Sequence, residues 1–345
     1  MNKLVPASPP TVFCGIDVSA RSLSVALIAP DHPVCQRAFA NSASGHRELL
    51  VWLGRWNAPV RVSLEATGIY SLDLALALDA QVGVEVAVLN PKLANRFAQT
   101  LCRSRTDAAA ALVLAEYSQR MPFTPWQRPG IAELGLRTIS RHIASMVVDL
   151  AEVKNRLHAA QSASTTPRAV LTDLKQAQAA LQRRLAKMRR EAMKLVQAEA
   201  RLRQRFALLV SIPGIAEISA LQILSELVLL SPATTVRQWV AYSGLDPEHH
   251  VSGSSVHKPS RISRAGNRHL RRALYMPALS AARYDPHLRA FYLALRQRHK
   301  TALQALMAVA RKLLHAIYGI FKSGTPFDGC RLFPNIRTEV ESIAG

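Results

Sequence analysis

The sequence predicts an α/β N-terminal domain, a central α-helical coiled coil and a mostly α-helical C-terminal domain. Three observations predict it. Short β-rich runs crowd the front of the chain, then alternate with helical spacing. Behind them, apolar residues recur in steps of 3 and 4 over two long stretches. Charge divides the same way: 11 basic against 9 acidic residues in 1–120, but 33 against 14 in 121–345.

The elements follow in order. Residues 1–10 lack the apolar segment of a secretory signal and read as a disordered lead-in. FCGIDVS (13–19), RSLSVALIAP (21–30) and PVCQRAFAN (33–41) are successive strands separated by turn formers, which implies an antiparallel meander. SGHRELLVWLGRW (44–56) has helical spacing and a serine N-cap candidate. VRVSLEATG (60–68) is a strand ending at Glu65, SLDLALALDAQ a helix, and VEVAVLNP (84–91) a strand stopped by Pro91. KLANRFAQTL and DAAAALVLAEYSQRM are helices. The order βββαβαβα gives a mixed sheet covered by helices over 11–122.

MPFTPWQRPG (121–130) is Pro-rich and reads as a linker. The region 123–206 then carries the linker and a coiled-coil hairpin. One seam runs through Leu136, Ile139, Ile143, Met146, Leu150, Val153 and Leu157, the other from Leu174 to Leu209. Packing within one chain and self-association suit these seams equally. Region 207–330 contains SIPGIAEISALQILSEL, a helix pair around Pro213-Gly214, and a Ser/Gly-rich stretch at 252–255. A Gly266-Asn267 turn follows and leads into an Arg-rich helix. Residues 331–345 read as a tail.

Composition narrows the function. The net charge of +21 favours a polyanionic partner, and its concentration behind residue 120 suggests a catalytic module joined to nucleic-acid-binding parts. Lys258, Arg261, Arg264, Arg268, Arg271 and Arg272 are the candidate phosphate contacts. No apolar run reaches the length of a membrane span. The four cysteines are scattered without a CxxC pair, which argues against a zinc site and fits a reducing, cytoplasmic setting.

Three acids stand out. Asp17 lies in the first strand, Glu65 ends a later one, and Asp107 opens a helix. In an RNase-H-like fold such acids converge and hold one or two Mg²⁺ ions for phosphoryl transfer. Each alone is ordinary: Asp107, for instance, suits a helix N-terminus by charge alone.

The segments GIDVS, SLEATGIY, LNPKLANRFA and SRTDAAAALVLAEY, followed by IPGIAEISALQILSEL, AYSGLDPEHHVSGSS and ISRAGNRHLRRALY, resemble the DEDD transposases of the insertion-sequence 110 family. The resemblance covers most of the chain, in order. It implies a front domain of the RNase-H-like, Holliday-junction-resolvase kind and a rear transposase domain. The two would meet in a composite site across protomers. It implies Mg²⁺ as cofactor, held in two sites by Asp17, Glu65 and Asp107. Ser252, just before Gly253, matches the family's nucleophile, with Ser254 and Ser255 close by; His249 and His250 are proton carriers or bystanders. The implied partners are an element-encoded structured guide RNA (the bridge RNA), donor and target duplex DNA, and further copies of the chain as a dimer or tetramer. The implied location is the bacterial nucleoid.

One position departs from the family. Its helix carries two aspartates three residues apart, on one face. Asp107 matches the first, and Ala110 stands at the second. LVLAEY continues in register, so this is a substitution without a shift. Either the change is engineered to block catalysis, or a natural copy has lost the residue; the intact neighbouring motifs favour the first. The expectation is a chain that assembles on RNA and DNA but cleaves poorly. Two alternatives stand beside it: a junction resolvase that uses water in place of serine, and a catalytically dead nucleic-acid-binding protein.

Overall fold

The computed structural model describes residues 11–66, 70–101, 106–252 and 256–332. The chain forms two compact units, Met1–Arg128 and Pro129–Gly345.

The front unit runs β1 (Val12–Val18), β2 (Ser22–Ile28), β3 (Cys35–Ala40), α1 (Ala43–Gly54), β4 (Val60–Glu65), α2 (Leu72–Asp79), β5 (Val84–Leu89), α3 (Pro91–Leu101) and α4 (Asp107–Arg120). Its five strands form one mixed sheet in the order β3-β2-β1-β4-β5. The meander β1-β2-β3 is antiparallel, and β4 and β5 run parallel to β1.

Alternation along the strands decides which face meets which helices. Cys14 and Ile16 of β1 share a core with Leu49 and Leu53 of α1 and with Leu74 and Leu78 of α2. Gly15 faces the other way. A methyl group there would sit 2.7 Å from the backbone at Leu114, and closer still to the Ala111 carbonyl and Ala115 amide. Only glycine lets α4 lie this tightly on β1. Ala26, Ala111 and Ala115 are buried in the same small-residue contact. A hydroxyl pair fastens α4 further along: Ser118 donates to Ser63 of β4 at 2.6 Å, both buried.

The Pro-rich linker is docked onto this unit. The Trp126 amide donates to the Val86 carbonyl at 2.6 Å, and the Arg61 guanidinium lies 5.3 Å from the Phe123 ring centroid. Its two aromatics gain burial that the prolines alone would not provide.

The rear unit begins with two long helices, α5 (Ile131–Ser162) and α6 (Arg168–Ala198), packed on one another. Then come α7 (Ala200–Val210), α8 (Glu217–Leu227), α9 (Val236–Ser243), β6 (Pro247–Ser252), β7 (Val256–Ile262), α10 (Arg268–Ala273), α11 (Tyr275–Tyr284), α12 (Pro286–Gln297) and α13 (Ala302–Ser323). Leu136, Ile143, Met146, Leu185 and Ala192 from the long pair join one core with α8, α11 and α13. Leu136, Ile143 and Met146 of the first seam and Leu185, Ala192, Leu202 and Leu209 of the second are thus buried within the chain, while Leu150, Val153, Leu174 and Leu181 are only half-buried.

The stretch read as a Ser/Gly-rich loop is framed by an antiparallel hairpin, with Ser252 opposite Val256 and His250 opposite Lys258. Its strands, EHHVS and HKPSRI, are polar and hold a proline, so neither carries the alternation that marks a strand in sequence. Residues 253–255, with Ser254 and Ser255, lie outside the described residues, as do the side chains of His249, His250, Ser252 and Lys258.

Candidate active site

The three acids arrive at one edge of the front sheet by register. On β1, Gly15 faces α4, so Asp17, two residues on, faces the same way. On β4, Ser63 faces α4 through its bond to Ser118, so Glu65 does too. Gly15 pairs with Ser63 across the parallel ladder, which brings Asp17 and Glu65 level. Ala111 of α4 lies over Gly15, and Asp107 is one turn earlier, at the exposed start of the helix. Thr106 caps that start, accepting from the Ala109 amide at 3.2 Å. Gln36 of β3 donates to the Ala108 carbonyl at 3.3 Å and ties the same turn to the far side of the sheet.

Electrostatics reports the convergence. Partial burial pushes the Asp17 carboxyl above its ordinary value, and the negative charge of Asp107 pushes it further. Glu65 is raised by burial and then by the charge of Asp17. Each shift disfavours the charged form, by desolvation and by like charge. Ala110 is half-buried and follows Asp107 by three residues, so it shares that residue's helix face.

The donor set suits a hard cation: three carboxylates, whose mutual repulsion such an ion would relieve. The acids share an edge without closing into a tight cluster. Among the described residues, no three of His, Cys, Asp and Glu lie close enough together to form a ready-made metal group.

Sequence reasoning missed a residue that ties the end of β1 to the lead into α2. Asn41, between β3 and α1, donates from its side-chain amide to the Ser19 carbonyl at 2.8 Å and to the Tyr70 carbonyl at 3.1 Å. Ser19 follows Asp17 by two residues, and Tyr70 lies just before α2. With both amide hydrogens committed, the Asn41 Oδ1 accepts from His46 Nε2 at 2.8 Å. His46 is buried on α1, and that burial lowers its basicity. A single Asn at a strand end carries no sequence signal beyond turn propensity, so this role shows only in three dimensions.

The rear unit builds a second polar centre. Glu226 of α8 is buried and takes two bonds from Arg141 of α5, at 2.7 and 2.9 Å, with Arg137 at 3.7 Å. These partners and Asn267 keep it charged below the usual carboxylate range, against the opposing effect of burial. Asn267 donates to Glu226 at 2.6 Å and to the Tyr242 hydroxyl at 2.7 Å, while its Oδ1 caps α10 at the His269 and Leu270 amides. Gly266 precedes it because a methyl group there would sit 2.6 Å from the Gly244 nitrogen and 2.7 Å from the Ala241 carbonyl. Glycine, asparagine and the buried carboxylate together aim the basic helix.

Of the candidate phosphate contacts, Arg261, Arg264, Arg268 and Arg272 are exposed. Arg271 is half-buried and donates to the Ser243 carbonyl at 2.9 Å. No helix among the described residues is long and apolar enough to cross a membrane.

Comparison with known proteins follows the same two-part division. Residues 206–293 match a family described as Transposase IS116/IS110/IS902 family, and residues 14–162 match a DEDD-type family of the same group, described as Transposase. The chain is 28% identical over 327 residues to the pilin gene-inverting protein of Moraxella bovis, covering 92% of this chain and 97% of that one. The protein of that name from Moraxella lacunata gives the same figures. An insertion element IS110 uncharacterized 43.6 kDa protein of Streptomyces coelicolor is 32% identical over 120 residues, or 35% of this chain and 29% of that protein.

Proposed function

We propose that the chain, whose front and rear parts both match transposase families of the IS110 group, is an RNA-guided DNA recombinase with a serine nucleophile, impaired as it stands. The observation that carries this reading is the shared edge of Asp17, Glu65 and Asp107, close enough for Asp17 to feel the charge of Asp107 and Glu65 that of Asp17.

In this proposal the Ser252 hydroxyl attacks a DNA phosphorus and gives its proton to solvent. The bond to the leaving strand's oxygen breaks, that oxygen takes up a proton to become a free hydroxyl, and a phosphodiester to serine forms. Attack by the hydroxyl of the incoming strand reverses these bonds and rejoins the DNA. Serine is a weak nucleophile at its free pKa and needs activation. A divalent cation, when bound, would supply Lewis-acid stabilisation of the leaving oxygen. Asp17, Glu65 and Asp107 would hold it, in two sites in the complete family set. Asn41 would steady the chain just past Asp17 through the Ser19 carbonyl. Ala110 leaves the set one carboxylate short and weakens one site.

The rear unit would grip the backbone with Lys258, Arg261, Arg264, Arg268, Arg271 and Arg272. Such contacts set affinity and salt dependence and carry no sequence code. A bridge RNA encoded by the element would read donor and target by base pairing. Two or four copies would join two duplexes, with a front unit and the serine of another copy completing one site. The Moraxella relatives are named for inverting a pilin gene, an outcome that cutting and rejoining DNA would produce.

The test is the covalent intermediate. The Ala110→Asp protein, with co-expressed RNA, target duplex and Mg²⁺, is expected to yield a protease-sensitive protein–DNA adduct that Ser252→Ala abolishes. Cleavage without an adduct would replace this reading with a water-using resolvase.

A further inference from the structure

A groove with a cavity of about 540 Å³ lies in the rear unit where α5, α8, α10, α11 and α13 meet. Its lining combines two chemistries. Arg264, Arg268, Arg271 and Arg272 supply positive charge. None is ion-paired to a carboxylate among the described residues. The lining also holds uncovered apolar side chains: Met276 is 61% exposed, Leu303 55% and Tyr275 37%.

Phosphates alone account for half of this surface. A duplex presents its backbone to cations and keeps its base faces stacked inside, so it offers Tyr275 no open base face to stack on. A nucleotide with an unpaired base offers both an anionic phosphate and an apolar π-face. Single-strand sites are built in this way, with a cationic track beside an aromatic platform. Arginine adds to it, because a guanidinium stacks on a base as well as binding phosphate. The position is fixed from behind, since Arg271 is held on the Ser243 carbonyl and Asn267 caps α10.

We infer that this groove binds an unpaired nucleotide of a single DNA strand, with its base against Tyr275, Met276 and Leu303 and its phosphate on Arg264, Arg268 and Arg272. The inference rests on the proposed nucleic-acid function and adds the substrate class, opened strand over closed duplex. Strand exchange must pass through such unpaired nucleotides.

The test uses the full chain and three labelled probes of equal length: single-stranded DNA, duplex DNA and single-stranded RNA. Affinity is measured across a salt series. Tyr275→Ala removes the platform, and Met276→Gln changes its polarity at near-constant size; both positions are exposed, and a melting curve checks folding. Tyr275→Ala is expected to weaken single-stranded DNA binding about tenfold, the typical effect of losing one stacked base, with duplex binding and the salt slope unchanged. Arg272→Ala is expected to weaken single strand and duplex alike and to reduce the salt slope by about one. A 2-aminopurine base in the single strand should be quenched by the wild-type chain but not by Tyr275→Ala. Equal losses on duplex and single strand for Tyr275→Ala would overturn the inference. So would tighter binding of the RNA probe, or a change in self-association in place of DNA affinity. Absence of any salt-dependent binding by the wild-type chain would sink the nucleic-acid reading itself, and the groove assignment with it.

Discussion

Gly15→Ala is the most informative single change in the front unit. The new methyl group would lie 2.7 Å from the Leu114 backbone and closer to the Ala111 carbonyl and Ala115 amide. All three are backbone groups, so no side-chain rotation relieves the clash. Restoring an ordinary separation requires α4 to retreat from β1 by roughly 1 Å. Overpacking of this kind costs about 1–3 kcal/mol, a fall in melting temperature on the order of 5–10 °C for a unit of this size. The same retreat carries Asp107 away from Asp17. A 1 Å error at reacting groups can cost about a hundredfold in rate. The assay is calorimetry of the full chain, with DNA cleavage followed in an Ala110→Asp background. Loss of activity beyond what the fraction unfolded explains is the expected signature. Unchanged melting with unchanged cleavage would refute the claim that α4 is seated on Gly15 and positions Asp107.

Other predictions follow from the same geometry. The raised carboxyls of Asp17 and Glu65 mean that these two groups bind more protons in the folded chain than in the unfolded one above the ordinary carboxylate value. Their contribution to metal-free stability should therefore fall as pH rises from that value through the raised one. Asp17→Asn should flatten this fall in denaturant titrations, and Mg²⁺ should oppose it in the wild type only. Arg141→Met leaves the buried Glu226 carboxylate underpartnered, so it should cost about 3–5 kcal/mol in urea unfolding. Glu226→Leu should cost less, because Arg137 and Arg141 are partly exposed and stay solvated without it. Asn41→Leu should lower the affinity for Mn²⁺, read by titration calorimetry, more than it lowers the melting temperature; the reverse order would reduce Asn41 to a packing role.

Much of the front unit is legible in sequence because its strands and helices are long and strongly patterned. VFCGIDV and VRVSLE announce buried strands, and their ends name Asp17 and Glu65 as candidates. What joins those acids is less legible. Gly15 reads as one more strand glycine until α4 is seen against it, and Asn41 reads as a turn residue. α1 begins at Ala43 behind the cap Ser42, which accepts from the Gly45 amide at 3.3 Å, before the apolar spacing starts. The rear hides more. Glu226 sits inside SIPGIAEISALQILSEL, where nothing local shows that a buried carboxylate will meet Arg141 and Asn267. The groove beside Arg268 draws on helices from α5 to α13, so its arginines were visible as charge and its apolar lining was not. The β6-β7 hairpin carries Ser252 on strands too polar to look like strands.

The central claim is that Asp17, Glu65 and Asp107 form a catalytic set left incomplete at Ala110. The measurement that tests it most directly is strand exchange between donor and target duplexes in Mg²⁺, comparing the chain as it stands with Ala110→Asp at equal DNA occupancy. The account predicts matched binding, poor exchange by the chain as it stands, and recovery by Ala110→Asp that Asp17→Asn again abolishes. Equal exchange by both proteins, or no exchange by Ala110→Asp when binding is intact, would contradict it.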